Sequence, residues 1–318
     1  MTFQPAQQRK PRFKRAPTQD IQLTPRDVDA LRYVYEHRFL RSTHLILLLG
    51  GSAQGVLRRL NLLYHHGFLD RLKELSPLPM VYALGDRGAD LLERLYGIPR
   101  GKVDWTIKNA AIDPVSLFRS HTLLVADVMV RLEMACRKHG SVRIIPPEEI
   151  LRNAPEETRE AKNPLGWNVA FSHEGERVTL GVIPDKIFGL HFTALPEGKN
   201  KAYFFLEADR GTMPAIRKNL KQTSFYKKLL TYYETWQQGI HTKQYHIKNF
   251  RVLTVTSSPE RVENLIMANK QIGDGRGSPM FLFTHERAME ECDNLLALEW
   301  RNGLDETRIR LAPIAARS

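Results

Sequence analysis

Cysteine is nearly absent from this chain. Cys136 and Cys292 are the only two in 318 residues. Two distant cysteines make neither a disulfide framework nor a zinc site, and a reducing cytoplasm is the compartment that follows. Cys136 falls in a helical pattern and reads as a core residue. Long apolar runs are also missing. The longest candidate, Leu45–Leu49, is far too short for a membrane span. The basic N-terminus lacks the apolar segment of a signal peptide. A cytoplasmic, nucleoid-associated protein with no membrane partner is therefore expected. No glycine-rich loop leads into a helix with a Lys-Ser/Thr pair, which argues against a nucleotide-triphosphate site. There is no internal repeat and no long low-complexity segment. Acid is scarce relative to base: 35 Asp and Glu face 47 Lys and Arg, a formal charge of +12. Such a balance favours a polyanionic partner. The first twenty residues carry Arg9, Lys10, Arg12, Lys14 and Arg15 against Asp20 alone. A tail of that kind is expected to be disordered and to lie along phosphates; the competing reading is a solubilising end.

What is present is concentrated in residues 42–84, STHLILLLGGSAQGVLRRLNLLYHHGFLDRLKELSPLPMVYAL. A short apolar helix runs to Leu49 and stops at Gly50-Gly51. Ser52 caps a second helix, which ends at Gly67. A strand, a Pro-containing loop and a second strand follow, forming a wing from Phe68 to Leu84 with Arg71 and Lys73 near its tip. This is a helix-turn-helix with a wing, a fold that places one helix in a DNA groove. An earlier helix begins at Thr24-Pro25-Arg26-Asp27, where Thr24 can cap and Pro25 suits the first helical position. Val28, Leu31, Val34 and Tyr35 give it an apolar stripe. Asp86-Arg87-Gly88 opens a further helix to about Tyr96.

In the second of the paired helices, Val56, Leu60 and Leu63 form the buried stripe. Gln54, Arg58, Asn61 and His65 recur on another face, with Arg59 at its edge. Arginine pairs with guanine edges and phosphates, and Gln or Asn with adenine. The expected DNA-contacting set is Ser52, Gln54, Arg58, Arg59, Asn61, His65, Arg71 and Lys73. Gln54, Arg58 and Asn61 would read bases, while Arg59, Arg71 and Lys73 would hold phosphates. DNA binding of this kind requires no cofactor. A small helical domain with a solvated polar face, or a protein-docking module, is the alternative.

The expected organisation is a tail (1–20), a winged helix (21–97), a linker (98–114) and an α/β domain (115–318). Gly97-Ile98-Pro99-Arg100-Gly101 breaks the preceding helix, and Asp113-Pro114 marks a new start. Residues 116–139 read as a long amphipathic helix and 142–145 as a strand. Residues 152–168 read as an exposed loop. Residues 178–190, 202–208 and 250–256 read as strands, with a long helix from about Met213 to Gln238. A helix at 259–270, a strand at 279–284 and a helix at 286–298 complete the pattern. The fold class is α+β or α/β, a winged helix-turn-helix followed by a mixed-sheet α/β domain.

Three carboxylates stand out in that domain. Asp185 follows Pro184, and Glu207 and Asp209 lie in AYFFLEADRG. Residues two apart on a strand share a face, so Glu207 and Asp209 project together. If the strands pair, Asp185 approaches them. Clustered acids need hydrogen bonds or a divalent ion to coexist, and magnesium prefers an all-oxygen set.

On these residues the domain resembles the PD-(D/E)xK nuclease superfamily over roughly residues 116–256. The matching features are Pro184-Asp185, Glu207-Ala208-Asp209 and the order of elements. Gln222-x-x-x-Tyr226 resembles a motif of the RecB-like branch, and His121 lies where that branch often has a histidine. The resemblance implies a magnesium- or manganese-dependent endonuclease with Asp185, Glu207 and Asp209 as metal ligands and Gln222 and Tyr226 in the site. One departure is plain: the family's lysine position is Asp209 here. Some members move that lysine onto the next helix, where Lys221 and Lys218 are candidates. Arg217, Lys221, Ser224 and Lys228 would form a basic stripe on that helix.

The winged helix followed by IPDKIFGL and FFLEADRGT resembles the replication-relaxation family of bacterial plasmids and other mobile elements, over most of residues 22–240. That resemblance implies a role in plasmid replication, relaxation, mobilisation or its transcriptional regulation. The implied partners are double-stranded DNA and a relaxase or another mobile-element protein, and palindromic recognition would require a homodimer. A relaxosome docking scaffold is the third reading.

Overall fold

In the computed structural model, which describes residues 14–16, 20–72, 77–102, 117–217, 220, 222–305 and 307–312, the chain divides into two units, residues 1–130 and 131–318. Most of the tail, Lys73, residues 103–114 of the expected linker, residues 115–116, and Lys218 and Lys221 lie outside the described residues.

The first unit follows its capping chemistry. Helix α1 (Pro25–His37) starts at Thr24, whose side chain accepts from the Asp27 amide while Asp27 accepts from the Thr24 amide, a reciprocal capping box. Strand β1 (Phe39–Arg41) leads into α2 (Ser42–Leu49), and Gly50 and Gly51 end it with φ of 67° and 71°. A left-handed pair of this kind suits glycine because no Cβ opposes it. Helix α3 (Ala53–His65) then starts on Ser52, whose hydroxyl accepts from the Gly55 amide at 3.1 Å. Strands β2 (Leu69–Leu72) and β3 (Val81–Leu84) and helix α4 (Asp86–Tyr96) complete the unit. The sheet order is β1-β3-β2, all antiparallel. Leu31, Val34, Leu45, Val56, Leu60, Leu63, Tyr82 and Leu92 form one buried cluster beneath the helices.

Helix α4 lies against the turn after α3. A Cβ built on Gly88 would sit 2.3 Å from the Phe68 carbonyl oxygen. That approach is backbone against backbone, so no side chain can yield. Gly88→Ala is expected to destabilise the first unit by about 1–3 kcal/mol, read as faster hydrogen exchange in peptides of α4 and β2. Unchanged exchange would mean the two segments are not in contact.

Helix α5 (Leu117–His139) runs across the division between units. Ala126 and Val130 belong to the first unit's core. Leu123 packs with Phe39, Leu72, Val81 and Ala83, and Phe118 stands edge-on to Phe39 at 6.5 Å.

The second unit is built on a seven-stranded mixed sheet of order β12-β11-β10-β9-β8-β7-β4. The strands are β4 (Val142–Ile145), β7 (Lys186–Phe192), β8 (Lys201–Asp209), β9 (Arg251–Thr256), β10 (Phe281–His285), β11 (Trp300–Asn302) and β12 (Arg308–Ile309). Pairs β8–β9 and β9–β10 are parallel, and the other neighbours are antiparallel. Strands β5 (Trp167–His173) and β6 (Glu176–Val182) form a separate two-stranded sheet. Short helices α6 (Pro147–Arg152) and α7 (Glu156–Glu160) precede it, and α8 (Phe225–Gln237), α9 (Ile240–Tyr245), α10 (Pro259–Asn269) and α11 (Glu286–Glu290) follow β8.

Four expected elements are revised. The single strand at 178–190 is two strands in different sheets, parted at Ile183-Pro184, because proline cannot donate to a continuing ladder. The loop at 152–168 holds α7 and the first residues of β5. The helix from Met213 to Gln238 begins only at Phe225, where Ser224 accepts from the Lys227 amide as N-cap. Arg217, Ser224 and Lys228 therefore form no helical stripe. The last helix stops at Glu290 rather than running to Leu298.

One face of the large sheet carries Ile187, Phe205, Val252, Phe281 and Phe283. It packs on Phe225, Leu229 and Tyr232 of α8, Val262 and Leu265 of α10, and Trp167 and Val169 of β5. That core positions the acidic residues.

Candidate nucleic-acid interface and acidic cluster

Helix α3 has an open face and a tied one. Gln54, Leu57 and Arg58 are exposed. Arg58 makes no hydrogen bond or ion pair to a described residue. Leu57, 43 % exposed, shares this face although it is apolar. Its signal was visible, since it falls outside the Val56-Leu60-Leu63 stripe at three residues from Gln54.

The other described polar residues of the expected set hold the helix in place. Arg59 donates from Nε to Asp27 Oδ1 at 3.0 Å and from Nη2 to Asp27 Oδ2 at 2.5 Å, and a further bond reaches the Gln22 carbonyl at 3.0 Å. Asp27 is 2 % exposed. Burial alone would raise its pKa, but the bonds from Arg59 and Thr24 outweigh it and hold the carboxyl below the usual aspartate value. Arg59 thus fastens α3 to the start of α1 instead of facing outward. Arg71 donates to Asn61 Oδ1 at 2.8 Å and lies over the Tyr64 ring at 4.3 Å. Both residues bind β2 to α3. His65 Nδ1 accepts from the Ala16 amide at 3.1 Å. Arg15 donates to the Tyr64 carbonyl at 3.1 Å and pairs with Asp70. Part of the basic tail is thereby seated against the end of α3. Ser52 caps the helix, and Lys73 lies outside the described residues.

A second polar group was not anticipated. Asp127 of α5 accepts from Arg41 at 2.5 Å and pairs with His44 Nε2 at 2.6 Å. Burial pushes the Asp127 pKa up, and the His44 bond and the Arg41 charge bring it below its ordinary value. The three residues fasten α5 to the start of α2.

The acids of the second unit do gather on one face, as strand alternation requires. Lys186 pairs with Leu206 and Glu207 with Thr254, which sets Asp185 beside Glu207 across the β7–β8 pair. Each acid already has partners. Glu207, 1 % exposed, accepts from Lys228 Nζ through Oε2 and from the Tyr232 hydroxyl through Oε1, both at 2.5 Å. Asp209 accepts from Arg261 Nε at 2.7 Å, Arg261 Nη2 at 3.2 Å and the Thr256 hydroxyl at 2.8 Å. Asp185 Oδ2 accepts from the Ala208 amide at 2.8 Å. Burial pushes Glu207 up to about 7; Lys228 pulls it down and the Asp185 charge pushes it further up. Burial lowers the Lys228 pKa, but Glu207 and Asp185 more than reverse that, and it stays charged.

The other nuclease-motif residues lie apart. Gln222 accepts from Arg217 at 3.1 Å on the exposed stretch before α8. Tyr226 sits half-buried in the first turn of α8, its pKa raised by burial and by nearby Glu174. The tyrosine that meets Glu207 is Tyr232, and the lysine is Lys228. Helical spacing from Ser224 places both on the inner side of α8, but no strand-local motif marks them. Lys221 lies outside the described residues.

Asp185, Glu207 and Asp209, the expected magnesium or manganese set, each accept donors from the chain itself. Both oxygens of Glu207 and both of Asp209 receive donors from side chains. Among the described residues no three His, Cys, Asp or Glu side chains come together as a ligand group. Also among them, no helix is long and apolar enough to cross a membrane.

A family model described as replication-relaxation matches residues 31–251, which is more than half of the chain and includes both the open face of α3 and the acids. No curated protein and no solved structure matches the chain.

Proposed function

The chain belongs to the replication-relaxation family, and from that premise we propose that it serves plasmid or mobile-element replication or relaxation by binding double-stranded DNA through α3. The observation that carries this reading is the division of labour on that helix. Gln54, Leu57 and Arg58 face outward while Arg59, Asn61 and Arg71 fix the helix from behind. A helix tied to α1 through Arg59 and to β2 through Asn61 loses little freedom on docking, so its open side chains can discriminate bases. The element order helix–strand–helix–helix–strand–strand is that of a winged helix, in which the second of the paired helices enters the major groove. There Arg58 suits guanine, Gln54 adenine and Leu57 the thymine methyl. The formal charge of +12 supplies the attraction to phosphate.

Selection from a random duplex pool, followed by fluorescence anisotropy, tests this. Arg58→Ala is expected to weaken the selected duplex by ~10-fold or more while leaving random duplex binding little changed. Equal affinity of wild type and variant for the selected duplex would sink the assignment, and binding of a protein partner with no binding of duplex would favour the docking module. Nicking of supercoiled plasmid that Asp185→Ala abolishes would instead favour the endonuclease.

A further inference from the structure

We infer that Lys228 and Arg261 stand where a divalent cation would otherwise be needed, so that the acidic face of the second unit is neutralised by the chain itself and binds no metal ion.

Three carboxylates brought to one sheet face repel each other unless positive charge lies between them. Two elements of the helix layer supply it. Lys228 reaches Glu207 from α8, and Arg261 reaches Asp209 from α10 with two nitrogens on its two oxygens. Arg261 is anchored in turn by a 2.6 Å bond to the Met213 carbonyl, so its fork is fixed. Side chains close the cluster as well: Tyr232 and Thr256 are fully buried, and each donates a hydroxyl to an acid. Each oxygen of Glu207 and of Asp209 therefore already accepts a donor that the fold holds in place. Magnesium demands several free oxygen ligands in near-octahedral array, and manganese is satisfied by the same donors. To bind here an ion would have to displace a lysine and strip two hydrogen bonds from a buried carboxylate.

The substitution makes a specific forecast. Removing the lysine takes its charge away from Glu207 and from Asp185 beside it, and a cation can then take its place. Thermal melts of the full chain, followed by tryptophan fluorescence with and without manganese chloride, test it. The wild type is expected to melt at the same temperature in both conditions. Lys228→Ala is expected to melt lower and to recover with manganese, on the order of 5 °C at saturation. Adding Asp185→Asn to that variant should remove the recovery. A saturable manganese-dependent rise in the wild type, abolished by Asp185→Asn, overturns the inference. So does a folded Lys228→Ala that ignores the ion. Should Lys228→Ala fail to fold, manganese titration of the wild type by electron paramagnetic resonance decides alone. No site dependent on Asp185 supports the inference, and one such site overturns it.

Discussion

Arg59→Ala should lower the stability of the first unit by about 1–3 kcal/mol, the cost of leaving the buried Asp27 carboxylate without its half-buried partner. An exposed helix arginine would cost within about 0.5 kcal/mol, so the magnitude separates a clamp from a phosphate contact. The reason lies in Asp27. It is 2 % exposed and takes both donor bonds of the Arg59 fork while closing the capping box of α1. Without Arg59 the carboxylate keeps only Thr24. The pH response gives an independent check. The folded Asp27 pKa lies below its ordinary 3.8. Its contribution is therefore present above the unfolded value and is lost as pH falls through the folded one. In Arg59→Ala that acid-sensitive part should shrink. Hydrogen exchange in α1 and α3 peptides at pH 7 and under acid conditions measures both effects. Unaltered exchange together with weaker duplex binding would return Arg59 to the phosphate side of the interface.

That contrast also shows where sequence reading reaches and where it stops. Thr24, Ser52 and the Gly50-Gly51 stop act over three or four residues, and their consequences are local. The helices they bound are where the pattern placed them. The shared face of Glu207 and Asp209 was equally legible, because strand alternation is a two-residue rule. Their partners were not. Lys228 lies 21 residues from Glu207 and Arg261 lies 52 from Asp209. Those pairings depend on where α8 starts and on the parallel register of β8 with β9. The helix start was misplaced because residues 213–224 carry enough apolar side chains to mimic a helical stripe, although Pro214 precedes the Ser224 cap. Arg59 reads as outward-facing for a related reason. It sits at the edge of the polar face, and its direction is decided by Asp27, 32 residues earlier. Asp209 occupies the lysine position of the nuclease resemblance, and Lys228 reaches the neighbouring Glu207 from the next helix; Lys218 and Lys221 lie outside the described residues.

The largest pH effect is expected from that same lysine. Lys228→Met should cost about 3–5 kcal/mol at pH 8, and Lys228→Met with Glu207→Gln considerably less, because the double change removes both charges together. Glu207 explains the asymmetry. Its folded pKa of about 7 lies above the 4.5 of an ordinary glutamate, a difference equivalent to about 3 kcal/mol. With a raised folded pKa, the contribution is fully present below the unfolded value and is lost as pH rises through the folded one. Wild-type stability of the second unit should thus fall between about pH 4.5 and pH 7 through this group. Lys228→Met removes the charge that pulls the pKa down, so the decline should continue to higher pH. Glu207→Gln should flatten it. Urea unfolding across this pH range resolves the three slopes. Trp167 is a suitable reporter, since its ring lies 6.1 Å from Tyr232 and its indole nitrogen donates to Thr235 at 2.7 Å. An unchanged slope in Glu207→Gln would mean that Glu207 does not take up its proton in this range. A double variant as unstable as Lys228→Met alone would mean that the pair is held by its surroundings more than by its charges. The cluster thus bears on stability through the lysine, arginine and hydroxyl donors that its carboxylates accept.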